Sequence, residues 1–196
     1  MALKTKVAFL LMVLCCGAAA LLLQKAPPSD GSGRDEDARA VYSWMISHLT
    51  LRDKLYLIVP ETRRGSYPDY GCLQIPQSYA TDLREIRADF DRNKDVTREL
   101  PLSFSTEKAY AILDSEIAEE LLKSGRLFDS PIIRQQFAGA KHLLLFSNVS
   151  FNRMRNLALV HVDVWCGGLC GESWWTVLRK DKGVWNQEWS GCLAIA

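Results

Sequence analysis

From Asn156 to Lys180 the chain reads Asn-Leu-Ala-Leu-Val-His-Val-Asp-Val-Trp, then Cys166-Gly-Gly-Leu-Cys170-Gly-Glu, then Ser-Trp-Trp-Thr-Val-Leu-Arg-Lys. Two β-branched and aromatic runs joined by a glycine-rich turn predict a β-hairpin, and a cysteine at each end of the turn predicts a short disulfide across it. With Cys166 opposite Cys170, the loop is Gly167-Gly168-Leu169, where glycine supplies the left-handed backbone such a connection needs. That register pairs Val164 with Glu172, Val162 with Trp174, Val160 with Thr176 and Ala158 with Leu178. Because side chains alternate along a strand, the other face carries Leu159, His161 and Asp163 across from Val177, Trp175 and Ser173. The valine face belongs on the core, and the mixed His161/Asp163 face is expected to meet solvent or a partner.

The N-terminus carries the strongest targeting signal. Lys4 and Lys6 precede an unbroken apolar run from Val7 to Leu23, the order of charge and hydropathy in an export signal. The run suits a cleaved signal peptide, with Ala18-Ala19-Ala20 as the cleavage site, and equally a retained anchor that holds the protein at the membrane. Either way residues 1–25 are a targeting segment and the remainder is extracytoplasmic, anchored or secreted. Residues 26–35, Ala-Pro-Pro-Ser-Asp-Gly-Ser-Gly-Arg-Asp, have the composition of a flexible linker. Residues 36–196 are then a single domain.

Export decides how the remaining cysteines are read. Cys72, Cys166, Cys170 and Cys192 lie beyond the apolar run, and an even number in an oxidising compartment favours disulfides over metal thiolates. Four cysteines allow three pairings. Turn geometry favours Cys166 with Cys170, which leaves Cys72 and Cys192 as candidates for a second bond. Nothing in the sequence calls for a metal or another cofactor.

One block of the chain resembles a family. Phe146-Ser-Asn-Val-Ser-Phe-Asn152, Ala158-Leu-Val-His-Val162, Cys166-Gly-Gly-Leu-Cys-Gly171 and Gly183-Val-Trp185 together resemble the C-terminal pattern of a family of exported or membrane-anchored bacterial proteins. The resemblance covers roughly the last third of the chain. It implies export and brings no activity, ligand or catalytic residue with it, and Cys72 and Cys192 are outside the pattern.

Along the rest of the chain, Ala38, Val41, Tyr42, Met45 and Leu49 recur at helical spacing, with Asp35, Glu36 and Asp37 in what should be the first turn. Leu55 to Val59, stopped by Pro60, is a short buried strand. Glu61 to Gln77 is a long loop containing Cys72. Tyr79, Leu83, Ile86 and Phe90 mark a second helix; Ala109 to Leu113 is a strand; Asp114 or Ser115 caps a helix that stops at Gly125. Arg126 to Gly139 shows no decisive period, and a short helix after Pro131 is one reading of it. From His142 onward strands follow one another through tight turns, so the expected class is α+β: a C-terminal antiparallel meander covered by N-terminal helices in two layers.

Function is bounded more by exclusion. The three lysines Lys4, Lys6 and Lys25 precede the first acid, Asp30, so the rest of the chain holds 21 of the 24 basic residues against all 23 acidic ones. A near-neutral domain lacks the footprint of a nucleic-acid binder. The Cys-x3-Cys spacing is wrong for a redox Cys-x2-Cys motif and does not open a helix. His161, Asp163 and Ser173 share a face and invite a hydrolase triad, but a hairpin strand offers neither the strained elbow nor the oxyanion donors that a nucleophilic serine uses. A polar outer sheet face is the simpler reading. Trp174 and Trp175 must point to opposite faces, and Trp175 beside Leu159 and Val177 would make an aromatic patch suited to a partner. The sequence therefore points to a non-catalytic extracytoplasmic module of the cell envelope. It would contact an envelope protein or surface ligand through Leu159, His161, Asp163, Trp175 and Val177, and a small envelope hydrolase using His161 and Asp163 is the alternative. Asn148-Val-Ser150 is a glycosylation sequon.

Overall fold

The computed structural model describes residues 31–195 apart from 52, 66, 69–72, 74, 128 and 169; of residues 31, 32 and 192–195 it describes the backbone. The apolar run from Val7 to Leu23, the start of the linker and Cys72 lie outside these residues, as does the Cys192 side chain. Residues from Glu36 onward form one compact unit. Among the described residues no helix is long and apolar enough to cross a membrane.

The first helix, α1, runs Gly31–Ser47. It starts five residues before Glu36, inside the stretch expected to be linker, so Asp35, Glu36 and Asp37 fall beyond its first turn. Asp37 is instead buried and paired with Lys180 at 2.5 Å. The expected apolar face holds: Val41, Tyr42, Met45 and Leu49 are buried, together with Ile46.

After α1 come β1 (Leu55–Ile58), a 3-10 turn (Gln77–Tyr79), α2 (Ala80–Asn93), β2 (Tyr110–Ile112), α3 (Ser115–Ser124), α4 (Pro131–Gln136), β3 (Ala140–Phe146), β4 (Ser150–Phe151), β5 (Leu157–Gly167), β6 (Cys170–Asp181) and β7 (Val184–Ile195). The Asp114 side chain accepts the Glu116 N–H to start α3, and Gly125 ends it in the left-handed region at φ 66°. Both signals were in the sequence.

Seven strands form one mixed sheet in the order β2-β1-β3-β5-β6-β7, with β4 on β5. The C-terminal strands β3, β5, β6 and β7 pair antiparallel, as expected. By contrast β1 pairs parallel with both β2 and β3, since helical crossovers, rather than tight turns, separate these strands in the chain. The class is α+β, and the helices described all precede β3 in the chain.

The helices cover both faces, which makes three layers where two were expected. On one face α1 packs on Tyr56, Ile58, Leu144, Phe146 and the row Ala158, Val160, Val162, Val164. On the other, α3 and α4 cover Leu57 and Leu143, while α2 covers Leu157, Leu159, Trp175 and Val177. The second face is too apolar to be left in water, and the chain covers it with its own helices rather than with a partner.

The register of the β5–β6 hairpin is the one read from the sequence, from Ala158 opposite Leu178 to Val164 opposite Glu172. It shifts only at the tip, where Trp165 pairs with Gly171 and Gly167 with Cys170, so Cys166 is a bulge residue and not directly opposite Cys170. The disulfide Cys166–Cys170 spans this bulge, with 5.1 Å between Cα atoms.

Candidate functional site

The face expected to be open is built as read, with Leu159, His161 and Asp163 opposite Val177, Trp175 and Ser173. Its surroundings differ. His161 and Trp175 are fully buried, and Leu159 and Val177 nearly so. The Phe90 ring of α2 meets Trp175 edge-on at 5.3 Å, Tyr67 stands edge-on to His161 at 5.5 Å, and the indole N–H of Trp175 donates to Pro68 O at 3.1 Å. Leu159, His161, Trp175 and Val177 are thus core residues in the folded chain and present no docking surface.

His161 is a buried imidazole whose ring nitrogens have no hydrogen-bond partner among the described residues; the nearest carboxylate oxygen, Asp163 Oδ2, is 3.8 Å from Nδ1. Burial lowers its pKa to about 4, outweighing the pull of Asp163, with Arg63 lowering it further. The ring is therefore neutral at pH 7. Asp163 is held by the Arg63 guanidinium, which also lies 5.6 Å from the centre of the Tyr67 ring. Burial pushes the Tyr67 phenol up to about 12, with Arg63 lowering it and Asp163 raising it, so it stays protonated and donates to Arg63 O. Ser173 is buried opposite Asp163. The three candidate triad residues share a face, but the serine neighbours the carboxylate, and the carboxylate is engaged by an arginine.

A cleft opens between the end of α3 and the tip of the β5–β6 hairpin. It measures about 400 Å³ and is lined by Arg63, Leu122, Leu145, Asp163, Trp165 and Ser173, with Gly125, Gly168 and Gly171 along one end. A second hollow of about 220 Å³, between the exit of β1 and α3, shares Arg63, Leu122 and Leu145 with it and adds Glu61, Arg64 and Glu119 at its rim. Of the residues singled out in the sequence, Asp163 and Ser173 reach the cleft. Arg63, Leu122, Leu145 and Trp165 were not singled out, because a site assembled from four separate elements leaves no spacing signature in the chain.

Two further polar groups carry structural roles. His142 Nδ1 lies 2.5 Å from Asp53 Oδ2, a pair joining the start of β3 to the approach to β1 that is invisible at a separation of 89 residues. The sequon asparagine, Asn148, is buried. Its amide donates to Asn93 O at 2.9 Å and Val96 O at 2.5 Å, so the folded chain does not offer it for glycosylation. Among the described residues no three His, Cys, Asp or Glu side chains converge to hold a metal ion.

Compared with models of protein families, with curated proteins and with solved structures, the chain matches none.

Proposed function

We propose that this chain is a non-catalytic binding module of the cell envelope, working outside the cytoplasm, and that it meets its partner through the cleft between α3 and the tip of the β5–β6 hairpin. The apolar run from Val7 to Leu23 behind two lysines supports export. The observation that carries the binding reading is the cleft itself: an open hollow of about 400 Å³ with Leu122, Leu145 and Trp165 in its lining and an Arg63–Asp163 pair at its side. A mostly apolar concavity with a few convergent polar groups is the usual form of a recognition site. The catalytic alternative has less support, because a general base works best with a pKa near the operating pH. His161 sits well below that, behind a carboxylate already engaged by arginine.

The test uses Leu122→Arg, which places a charge in the cleft lining at a residue 43% exposed on α3, beside the unaltered protein. The unaltered protein should retain an envelope protein or surface ligand, and the variant should bind it at least about tenfold more weakly at an unchanged melting temperature. Ester, amide and phosphoester substrates should turn over no faster than in buffer. Hydrolysis that disappears in both His161→Ala and Asp163→Ala would transfer the assignment to a small envelope hydrolase.

A further inference from the structure

We infer that the Cys166–Cys170 disulfide is a redox-sensitive latch on the cleft, holding the hairpin tip against α3 until a dithiol reduces it. The inference rests on the cleft being the contact surface and adds a control over it. Three placements carry it. The tip builds one end of the cleft, because Gly168 and Gly171 line it together with Leu122 and Gly125 of the α3 terminus. The tip is fastened there by a backbone bond, Gly168 N–H to Gly125 O at 3.2 Å. And the Cys170 end of the disulfide is exposed to solvent, while Cys166 is 7% exposed.

The tip's backbone is one that its two glycines permit without fixing it. Gly167 and Gly168 have φ of 90° and 57°, and the register slips between Trp165 and Gly167. Glycine adopts such angles without strain but equally readily leaves them. The cross-link adds to the Gly167–Cys170 pairing in confining this segment, so breaking it loosens the hold of the Gly168 N–H on Gly125. The longer pairing from Leu157 to Val164 is fixed by side-chain burial on both faces and does not need the bond.

The chemistry is ordinary thiol–disulfide exchange. A thiolate of the reducing dithiol attacks the exposed Cys170 sulfur, the protein S–S bond breaks and Cys166 leaves as thiolate. The second thiolate of the reductant then attacks the mixed disulfide, forming the reductant's own S–S bond and releasing Cys170. Two electrons pass to the protein, and each released sulfur takes up a proton. An oxidising compartment reverses the sequence.

Amide hydrogen exchange on the full chain in detergent, with and without dithiothreitol, tests this. Reduction should speed exchange at Gly168 by about tenfold or more while amides in the Leu157–Val164 pairing keep their protection. The double variant Cys166→Ser, Cys170→Ser should show the fast Gly168 exchange without reductant and no further response to it, which separates this bond from any other cysteine. Unchanged exchange at Gly168, or loss of protection throughout β5 and β6, overturns the latch. A parallel titration with the apolar fluorophore 1-anilinonaphthalene-8-sulfonate reads the cleft itself, and binding blocked by Leu122→Arg should change at least about threefold on reduction. Absence of fluorophore binding in both redox states counts against the cleft as a contact surface, whereas Gly168 exchange judges the latch.

Discussion

At the scale of single residues, His161 is where the sequence was read correctly for position and wrongly for environment. Strand alternation placed it on one face with Asp163, Trp175 and Ser173, and it is there. Its burial followed from what lies over that face, Tyr67 and Phe90, whose places depend on a loop and a helix about seventy or more residues away in the chain. The consequence is a pH dependence with a definite sign. The folded chain protonates His161 only near pH 4, and the unfolded chain near the ordinary value of 6.5. Between those values the unfolded state holds more protons, so stability is complete above about pH 6.5 and falls as the pH falls towards 4. One group shifted this far accounts for about 3 kcal/mol over the full window. His161→Leu removes two ring nitrogens that lack partners among the described residues while keeping the volume filled. It should stay within about 1 kcal/mol of the parent at pH 7 and lose less stability between pH 7 and 5. Urea unfolding of both proteins at the two pH values decides it, and equal acid losses would remove His161 from the account.

Among elements, the β5–β6 hairpin was the most legible. Its register follows from the alternation of Ala158, Val160, Val162 and Val164 against mixed partners, because a slip by one residue would turn the whole valine row to the opposite face. The tip was less legible, since a bulge depends on local backbone angles that composition does not encode. Gly171 shows the constraint. A Cβ there would lie 3.1 Å from Val164 O, a backbone atom of the paired strand, and 3.8 Å from the Trp165 ring. Gly171→Ala should therefore cost about 1–2 kcal/mol by forcing the two strands apart at the cleft's end, although alanine ordinarily suits a strand better than glycine. Thermal unfolding of the variant gives the answer, and a stability gain would mean the tip relaxes freely. The short parallel strands β1 and β2 were read as strands but not as parallel ones. Four and three residues carry too few alternations to indicate which neighbour they will pair with or in which direction.

For the whole molecule, the missing third layer had a signal that the alternating pattern masked. Leu157-Ala-Leu-Val-His-Val-Asp-Val-Trp is nearly continuous in apolar residues, the mark of a strand covered on both faces, whereas the His161 and Asp163 interruptions suggested a half-solvated one. Burial resolves it: residues 157 to 162 are all buried. This shared sheet ties the covers together. Alpha1 on one side and α2 on the other press on alternate residues of the same strands, so loosening either cover exposes apolar surface on β5 and β6. Phe90 is the test of that coupling, since it is 5% exposed and meets both Trp175 and Tyr67 at 5.3 Å. Phe90→Ala should cost about 3–5 kcal/mol through the cavity it leaves. If the layers unfold as one unit, tryptophan fluorescence and far-ultraviolet circular dichroism should lose their folded signals at the same, lowered urea concentration. Fluorescence from the newly uncovered Trp175 changing well before the dichroism would instead make α2 a separable lid. The sheet face that carries His161 would then open without unfolding the domain, and that outcome alone would return His161 and Trp175 to the list of residues a partner could reach.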